Sequence, residues 1–241
     1  MAGRAQEWKQ IGPDPIAGES FSNLPNATSS GVVDGIALDP SGSKDSTIYI
    51  ATAAGGVWKT TDGGANWSSK NRSMDVLYMG AIALDPSDPT KVYAANGGPY
   101  CCAVGGGIYS STDGAEDWTL INPQGIFTAN PVNAIVLPKS GTLLAATPHG
   151  LYKSVDSGNH FGNNDPNYDN GQPIPIVTPQ GTLTNGNISD LKLDTFNPTT
   201  VYVAINNVGL FQSTDLGTTF PASGKLFGSA NFSFFSIVTC S

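Results

Sequence analysis

Short apolar runs recur along the chain and are separated by turn residues. The first set reads "GIALDP", "AIALDP", "AIVLP" and "DLKLD"; the second reads "TIYIAT", "KVYAAN", "TLLAAT" and "TVYVAI"; the third reads "GVWKT", "GIYSS", "GLYKS" and "GLFQS". The runs are rich in β-branched and aromatic residues and are bounded by Gly, Pro, Asp or Asn, which predicts strands rather than helices. We therefore expect four units, each with three consecutive strands.

A polar motif follows the third strand of every unit. The four copies, "TTDGGANW", "STDGAEDW", "SVDSGNHF" and "STDLGTTF", share the pattern Ser/Thr-x-Asp-x-Gly-x-x-Trp/Phe, broken only where Ala115 replaces the glycine. Their aspartates are Asp62, Asp113, Asp156 and Asp215. A spacing of roughly 40 to 60 residues is typical of propellers and other repeat arrays. The closing aromatic residue is expected to open a fourth strand.

The chemistry of this motif suits a tight turn. An Asp carboxylate accepts hydrogen bonds from backbone N–H groups that a turn exposes, glycine supplies a positive φ, and the aromatic residue packs between neighbouring units. A feature present once in every unit favours a structural role over a catalytic one. The residues assigned to this role are Asp62, Gly64, Trp67, Asp113, Trp118, Asp156, Gly158, Phe161, Asp215, Gly217 and Phe220.

These units predict an all-β fold, a β-propeller of four-stranded blades in a single domain of residues 1–241. The blades are placed at approximately 31–72, 77–122, 131–165 and 187–222. Residues 1–15 contain "EWKQI", which resembles a fourth strand and predicts a closing strand, and residues 230–241 predict the start of a further blade.

The predicted strands do not complete a fifth blade, and three explanations stay open. The sequence is part of a larger propeller, or it forms a compact four-bladed ring, or a second chain supplies the missing strands. An open arc would expose strand edges and apolar faces and would favour self-association.

The four polar motifs resemble the Asp-box, or bacterial neuraminidase repeat, of sialidases, sortilin-type receptors, photosystem II assembly propellers and tandem-propeller xyloglucanases. The phrases "EWKQIGP", "IYIATAAGGVWKTTDGGANW" and "MGAIALDPSDPTKVYAANG" are most similar to uncharacterised xyloglucanase-like members. The resemblance covers residues 31–220 and implies a propeller. In that group the boxes lie on the periphery, which agrees with a structural role.

The resemblance also implies which catalytic residues to look for. Sialidases clamp the substrate carboxylate with three arginines, whereas this chain has only Arg4 and Arg72. Xyloglucanases use two carboxylates in an inverting mechanism, and the matching stretch "YIATAAGG" has Ala53 where the resemblance implies one of them. Asp34 and Asp190, near the starts of predicted first strands, are the candidates for a residual functional pair. We favour a non-catalytic binding or structural module; the alternative is an inverting glycoside hydrolase related to the xyloglucanases.

Composition narrows the ligand class. The formal net charge is −8, and only 12% of the residues are charged, so a phosphate backbone is not an expected partner. No apolar run of about 18 residues predicts a membrane span. We expect a glycan or a protein surface as the ligand, and Tyr100, Phe127 and Tyr168 could stack on sugars or instead pack their loops. Several Asn-x-Ser/Thr triplets fit an extracellular or cell-surface protein, although the sequence shows no signal peptide.

No cofactor is predicted, and one segment suggests a metal. "NNDPNYDNGQ" places Asp165, Asn167 and Asp169 at alternate positions, as in half a calcium loop. Gly171 comes one place late and Ile176 stands at the last ligand position. A calcium site and a polar surface insertion therefore both remain open.

Overall fold

In the computed structural model, the described residues are 32–39, 41, 46–97, 106–121, 126–128, 130–162, 172–179, 181–227 and 237. They form seventeen strands and two short 3-10 helices, Ile126–Thr128 and Ala222–Gly224. No helix in this part of the chain is long and apolar enough to cross a membrane. The predicted closing strand at 1–15 and all but one residue of the predicted segment 230–241 lie outside the described residues.

Four antiparallel sheets follow one another along the chain, and we call them blades 1 to 4. Blade 1 contains β1 (Val33–Leu38), β2 (Ile48–Thr52), β3 (Gly56–Thr60) and β4 (Ser68–Ser69). Blade 2 contains β5 (Met79–Asp85), β6 (Asp88–Asn96), β7 (Ile108–Ser111) and β8 (Thr119–Ile121). Blade 3 contains β9 (Ala134–Lys139), β10 (Thr142–Thr147) and β11 (Gly150–Ser154), and the hairpin of β12 (Ile176–Thr178) and β13 (Gly181–Leu183) follows it. Blade 4 contains β14 (Ile188–Leu193), β15 (Val201–Ile205), β16 (Gly209–Ser213) and β17 (Lys225–Phe227).

The core lies between consecutive blades rather than within them. Three clusters of buried apolar side chains join blade 1 to blade 2, blade 2 to blade 3, and blade 3 to blade 4. The innermost strands contact each other in the series β1, β5, β9 and β14. The prediction of an all-β propeller is confirmed, and the described blades form an open arc rather than a closed ring.

Two blades depart from the predicted four-strand pattern. In blade 3 the described sheet has three strands, and Gly162 joins Lys153 of β11 by an isolated bridge. In blade 4 the fourth strand does not start at the aromatic residue, Phe220, because Pro221 follows it. Proline has no N–H for a sheet ladder, so a short 3-10 helix intervenes before β17 begins at Lys225.

Candidate functional site

The four polar motifs form turns at the ends of β3, β7, β11 and β16, and we call them Asp turns (residues 60–67, 111–118, 154–161 and 213–220). In the first, the Thr60 hydroxyl donates to Asp62 Oδ1 at 2.7 Å and accepts the N–H of Gly64 at 3.0 Å. Asp62 Oδ1 also accepts the N–H of Asn66 at 2.9 Å. The corresponding hydroxyl-to-carboxylate distances in the other turns are 2.7, 2.8 and 2.6 Å. These bonds agree with the structural role predicted for the aspartates.

Two consecutive residues after each aspartate adopt positive φ values, from 61° to 93°. At the second of these positions three of the turns have glycine, whereas the second Asp turn has Ala115 with a φ of 74°. An L-residue costs about 1–2 kcal/mol in this left-handed region, which explains the glycine preference. Ala115 is fully buried in the cluster between blades 1 and 2, so the burial of its methyl group offsets part of that cost.

The carboxylates of the Asp turns are held in their charged form. Hydrogen bonds from the Asn66 side chain and backbone, with that of Thr60, lower the pKa of Asp62 to about 2. In the third turn His160 supplies the equivalent side-chain contact to Asp156. The hydrogen bonds that lower the pKa also stabilise the turn, and a carboxylate with so low a pKa is a poor general base at neutral pH.

The second, third and fourth Asp turns contact the blade before them. The Trp118 indole N–H donates to the Lys70 carbonyl at 2.7 Å. The Lys59 ammonium donates to the Gly114 carbonyl at 3.0 Å, and the Lys153 ammonium donates to Thr218 Oγ1 at 2.6 Å. The closing aromatic residues at this kind of contact are 4%, 1% and 1% exposed at Trp118, Phe161 and Phe220. These three side chains belong to the apolar clusters between blades. Trp67 of the first Asp turn is only partly buried, and its packing between blades stays a prediction.

Sequence reasoning missed the second-strand residues that contact the Asp turn of the following blade. Tyr49 donates its hydroxyl to the Gly114 carbonyl at 3.4 Å, and Tyr93 is hydrogen-bonded to the Ser157 side chain. Leu144 holds the third equivalent position, beside Gly217. The three residues share one position in the second-strand repeat "TIYIAT", "KVYAAN" and "TLLAAT". That shared position is the signal that could have identified them.

The opposite end of the blades carries unpartnered oxygen atoms. Asp34 lies at the start of β1, Asn96 ends β6, and Asn206 follows β15. Because neighbouring strands are antiparallel, the start of an innermost strand and the end of the next strand share one end of the sheet; we call it the acceptor end. Asp34 Oδ2, Asn96 Oδ1 and Asn206 Oδ1 are buried there without a hydrogen-bond partner among the described residues.

Burial also raises the pKa of Asp34 above its usual value. A buried acceptor without a donor costs roughly 1–3 kcal/mol, so a donor would be favoured at each of these oxygens. Within the described chain, no group of three or more His, Cys, Asp or Glu side chains could hold a metal ion.

Asp190, the second candidate carboxylate, is 6% exposed, and both of its oxygens accept hydrogen bonds. Its Oδ1 accepts the N–H of Leu191 at 2.8 Å and the ammonium of Lys192 at 3.0 Å. Its Oδ2 accepts the N–H of Ile237 at 2.7 Å. A carboxylate with both oxygens occupied in this way positions backbone and is unsuited to activating a water molecule.

Ala53 lies in the turn that follows β2, next to the chain at Val32, whose carbonyl accepts its N–H at 3.0 Å. The position that the resemblance implies for a catalytic carboxylate therefore lies at the acceptor end, where this chain has a methyl group. Asp39 and Asp85, at the far ends of β1 and β5, accept backbone N–H groups two residues on, as expected for turn residues.

The expectation that Phe127 is available to a ligand is wrong. Its ring is 0% exposed and makes edge contacts with Tyr152 and Phe161, at centroid distances of 5.7 and 4.8 Å. An aromatic ring in a loop between two blades is buried by the cluster that joins them. The other two aromatic candidates, Tyr100 and Tyr168, lie outside the described residues, as do Asp165, Asn167 and Asp169 of the suggested calcium segment.

No protein-family model matches the chain, and neither does any curated protein. Solved structures with a similar fold include an ancestral GH74 enzyme, with TM-score 0.58, 19% identity and 90% of this chain covered. The GH74 xyloglucanase from Xanthomonas campestris has TM-score 0.53, 20% identity and 81% coverage. The extracellular domain of a hybrid two-component system from B. thetaiotaomicron has TM-score 0.51, 12% identity and 88% coverage. The chain covers 25%, 31% and 25% of those structures, respectively. At these identities the comparisons establish the propeller fold alone.

Proposed function

We propose that this chain is a non-catalytic binding module that holds a neutral, hydroxyl-rich glycan at the acceptor end of its blades. The observation that carries the proposal is the set of buried oxygens at Asp34, Asn96 and Asn206, which have no donor among the described residues. Sugar hydroxyl groups are donors that suit a carboxylate and two amide oxygens. Loops on a rigid scaffold commonly provide such recognition sites.

We also propose that the protein is located outside the cell or at its surface, and one of the similar solved structures is an extracellular domain. A protein surface is the other ligand class that the composition allows.

Hydrolysis is the alternative, and one observation favours it. The raised pKa of Asp34 is the property that a general acid needs. An inverting hydrolase also needs a second carboxylate as the base, and Asp190 is engaged on both oxygens. Binding without turnover therefore agrees better with the described residues.

Calorimetric titration with xyloglucan and cello-oligosaccharides, run beside a reducing-sugar assay, tests the proposal. We expect binding by the wild type, at least tenfold weaker binding by Asp34→Ala, and no release of reducing ends. Asp39→Ala is the matched control, because it removes a carboxylate at the opposite end of the same strand. Release of reducing ends that Asp34→Asn abolishes would establish a hydrolase instead. Absence of binding to every neutral oligosaccharide would refute the glycan assignment.

A further inference from the structure

The two outer faces of the arc differ, and each resembles one side of the contacts between blades. The face of blade 1 that points away from blade 2 carries Ile36, Leu38 and the first Asp turn with Gly63; we call it the Asp-turn face. The face of blade 4 that points away from blade 3 carries Lys192, Tyr202 and Gln212; we call it the tyrosine face. The register pairs those three residues across β14, β15 and β16.

The Asp-turn face has the composition of a buried contact but is exposed. Ile36 is 66% exposed, whereas the residues at the same position in blades 2, 3 and 4, Ile82, Ile135 and Leu191, are 7%, 6% and 0% exposed. Leu38 is 61% exposed, whereas its counterpart in blade 3, Leu137, is 3% exposed. The counterparts are buried because a preceding blade covers them. Within the described ranges, no blade covers Ile36 and Leu38 of blade 1.

The first Asp turn is open on the same side. A Cβ built on Gly63 would meet nothing within 4 Å, whereas one built on Gly114, the equivalent residue of blade 2, would lie 3.1 Å from the Lys59 ammonium of blade 1. The Gly114 carbonyl receives hydrogen bonds from Tyr49 and Lys59 of the preceding blade. Gly63 is thus placed to receive the same kind of contact.

The tyrosine face presents the complementary half. Tyr202 occupies the second-strand position of Tyr49, Tyr93 and Leu144, the residues that contact the following Asp turn in the other blades. Tyr49, Tyr93 and Leu144 are at most 3% exposed, whereas Tyr202 is only partly buried and its hydroxyl donates to Asp194 at 2.8 Å. No Asp turn among the described residues covers it.

We propose that the tyrosine face of one copy docks on the Asp-turn face of a second copy, so that two chains close an eight-bladed ring. The geometry repeats the contact that already joins blade 1 to 2, 2 to 3 and 3 to 4. Neither residues 1–31 nor residues 228–241 contain a Ser/Thr-x-Asp-x-Gly-x-x-aromatic motif, whereas a second copy brings its own first Asp turn. Such an interface is heterologous, and two junctions close the ring. Eight blades lie within the usual range for propellers.

Light scattering on size-exclusion fractions of the full chain tests this assignment. Two chains of 24.9 kDa predict a mass of about 50 kDa. Ile36→Asp places a charge on the Asp-turn face, and Tyr202→Lys places one on the tyrosine face while leaving an ammonium near Asp194. Each variant alone has both junctions damaged and is expected at the mass of one chain. Phe196→Asp is the matched control, because Phe196 is 79% exposed in the turn between β14 and β15 and is not one of the residues that define either face.

A mixing experiment distinguishes head-to-tail docking from other arrangements. When the Ile36→Asp and Tyr202→Lys chains are mixed, one junction has two intact faces, so the mass of two chains should return. Circular dichroism confirms that each variant is folded, and Leu38→Asp replaces Ile36→Asp if that variant is not. A single-chain mass for the wild type would overturn the proposal and would mean that residues outside the described part cover the faces. A dimer that survives Tyr202→Lys, or an open-ended polymer, would overturn it as well.

Discussion

Gly217→Ala tests whether the Asp turns are locked by the preceding blade. A Cβ at this position would lie 2.4 Å from Leu144 Cδ1 and 3.1 Å from Leu144 Cδ2. Leu144 is fully buried in the cluster between blades 3 and 4, so its side chain has little room to move. The substitution therefore combines backbone strain with a steric clash across the blade contact.

A matched glycine separates the two contributions. Gly141 has a φ of 73°, close to the 69° of Gly217, but a Cβ there would meet only Ser157 Oγ at an ordinary 3.5 Å. The left-handed conformation costs about 1 kcal/mol in each variant, and overpacking adds about 1–3 kcal/mol at Gly217. We expect Gly141→Ala to lower the free energy of unfolding by about 1 kcal/mol and Gly217→Ala to lower it by about 2–4 kcal/mol.

Urea unfolding followed by tryptophan fluorescence, at one fixed protein concentration, measures these free energies. Introducing Leu144→Ala into the wild type and into Gly217→Ala completes a double-mutant cycle, because this substitution removes the atoms that clash. The cycle should return a coupling of about 1–3 kcal/mol between positions 144 and 217. Equal costs for Gly141→Ala and Gly217→Ala, or additive effects in the cycle, would refute the argument that this contact sets the cost.

Three further predictions concern the same turns. The pKa of Asp62 is lowered to about 2, so its contribution to stability is complete above the unfolded pKa near 4 and is lost as the pH falls through 2. Between pH 5 and 2, the urea midpoint of Asp62→Asn should therefore fall less than that of the wild type. Parallel decreases in the two midpoints would contradict this. Burial lowers the pKa of Lys153, so the folded chain binds this proton less tightly than the unfolded chain, and the wild type should gain stability as the pH rises toward 10. The free energy of unfolding of Lys153→Met should lie within about 1 kcal/mol of the wild-type value at pH 7, and the variant should lack part of that gain. A decrease larger than about 3 kcal/mol at pH 7 would show that the hydrogen bond to Thr218 dominates. Ser111→Ala leaves the buried N–H of Ala115 without its acceptor and should cost about 1–3 kcal/mol in the same urea assay, whereas a cost near zero would contradict the assigned hydrogen bond.

The strands and turns could be predicted because their signals are local. The Asp-turn motif places hydroxyl, carboxylate and glycine within eight residues, and the bonds that they make also lie within those residues. Strand order followed from the same repetition, since each blade is built from consecutive strands. The late start of β17 was missed because the repeat pattern outweighed a single residue, Pro221, which interrupts the ladder.

The candidate site was predicted less well because its properties are tertiary. Asp34 was identified from its place near the start of a strand, but the lack of a donor for its Oδ2 depends on what surrounds it in space. Asn96 and Asn206 were not identified, since asparagines at the ends of strands resemble turn residues. Phe127 was misjudged for the same reason, because a loop position in the sequence does not reveal burial between two blades.

The topology separates the parts of the chain that stabilise the blades from the part that we propose binds. Asp turns follow third strands, so they lie at one end of every sheet, whereas Asp34, Asn96 and Asn206 lie at the other. The contacts that join blades through the Asp turns therefore do not involve the acceptor-end residues. Substitution of Asp34 or Asn206 by alanine should weaken ligand binding without lowering the unfolding free energy, because it removes a buried oxygen that lacks a donor. Substitutions in the Asp turns should lower the unfolding free energy and leave ligand affinity unchanged. A scaffold divided in this way can retain its fold while the ligand at the acceptor end changes.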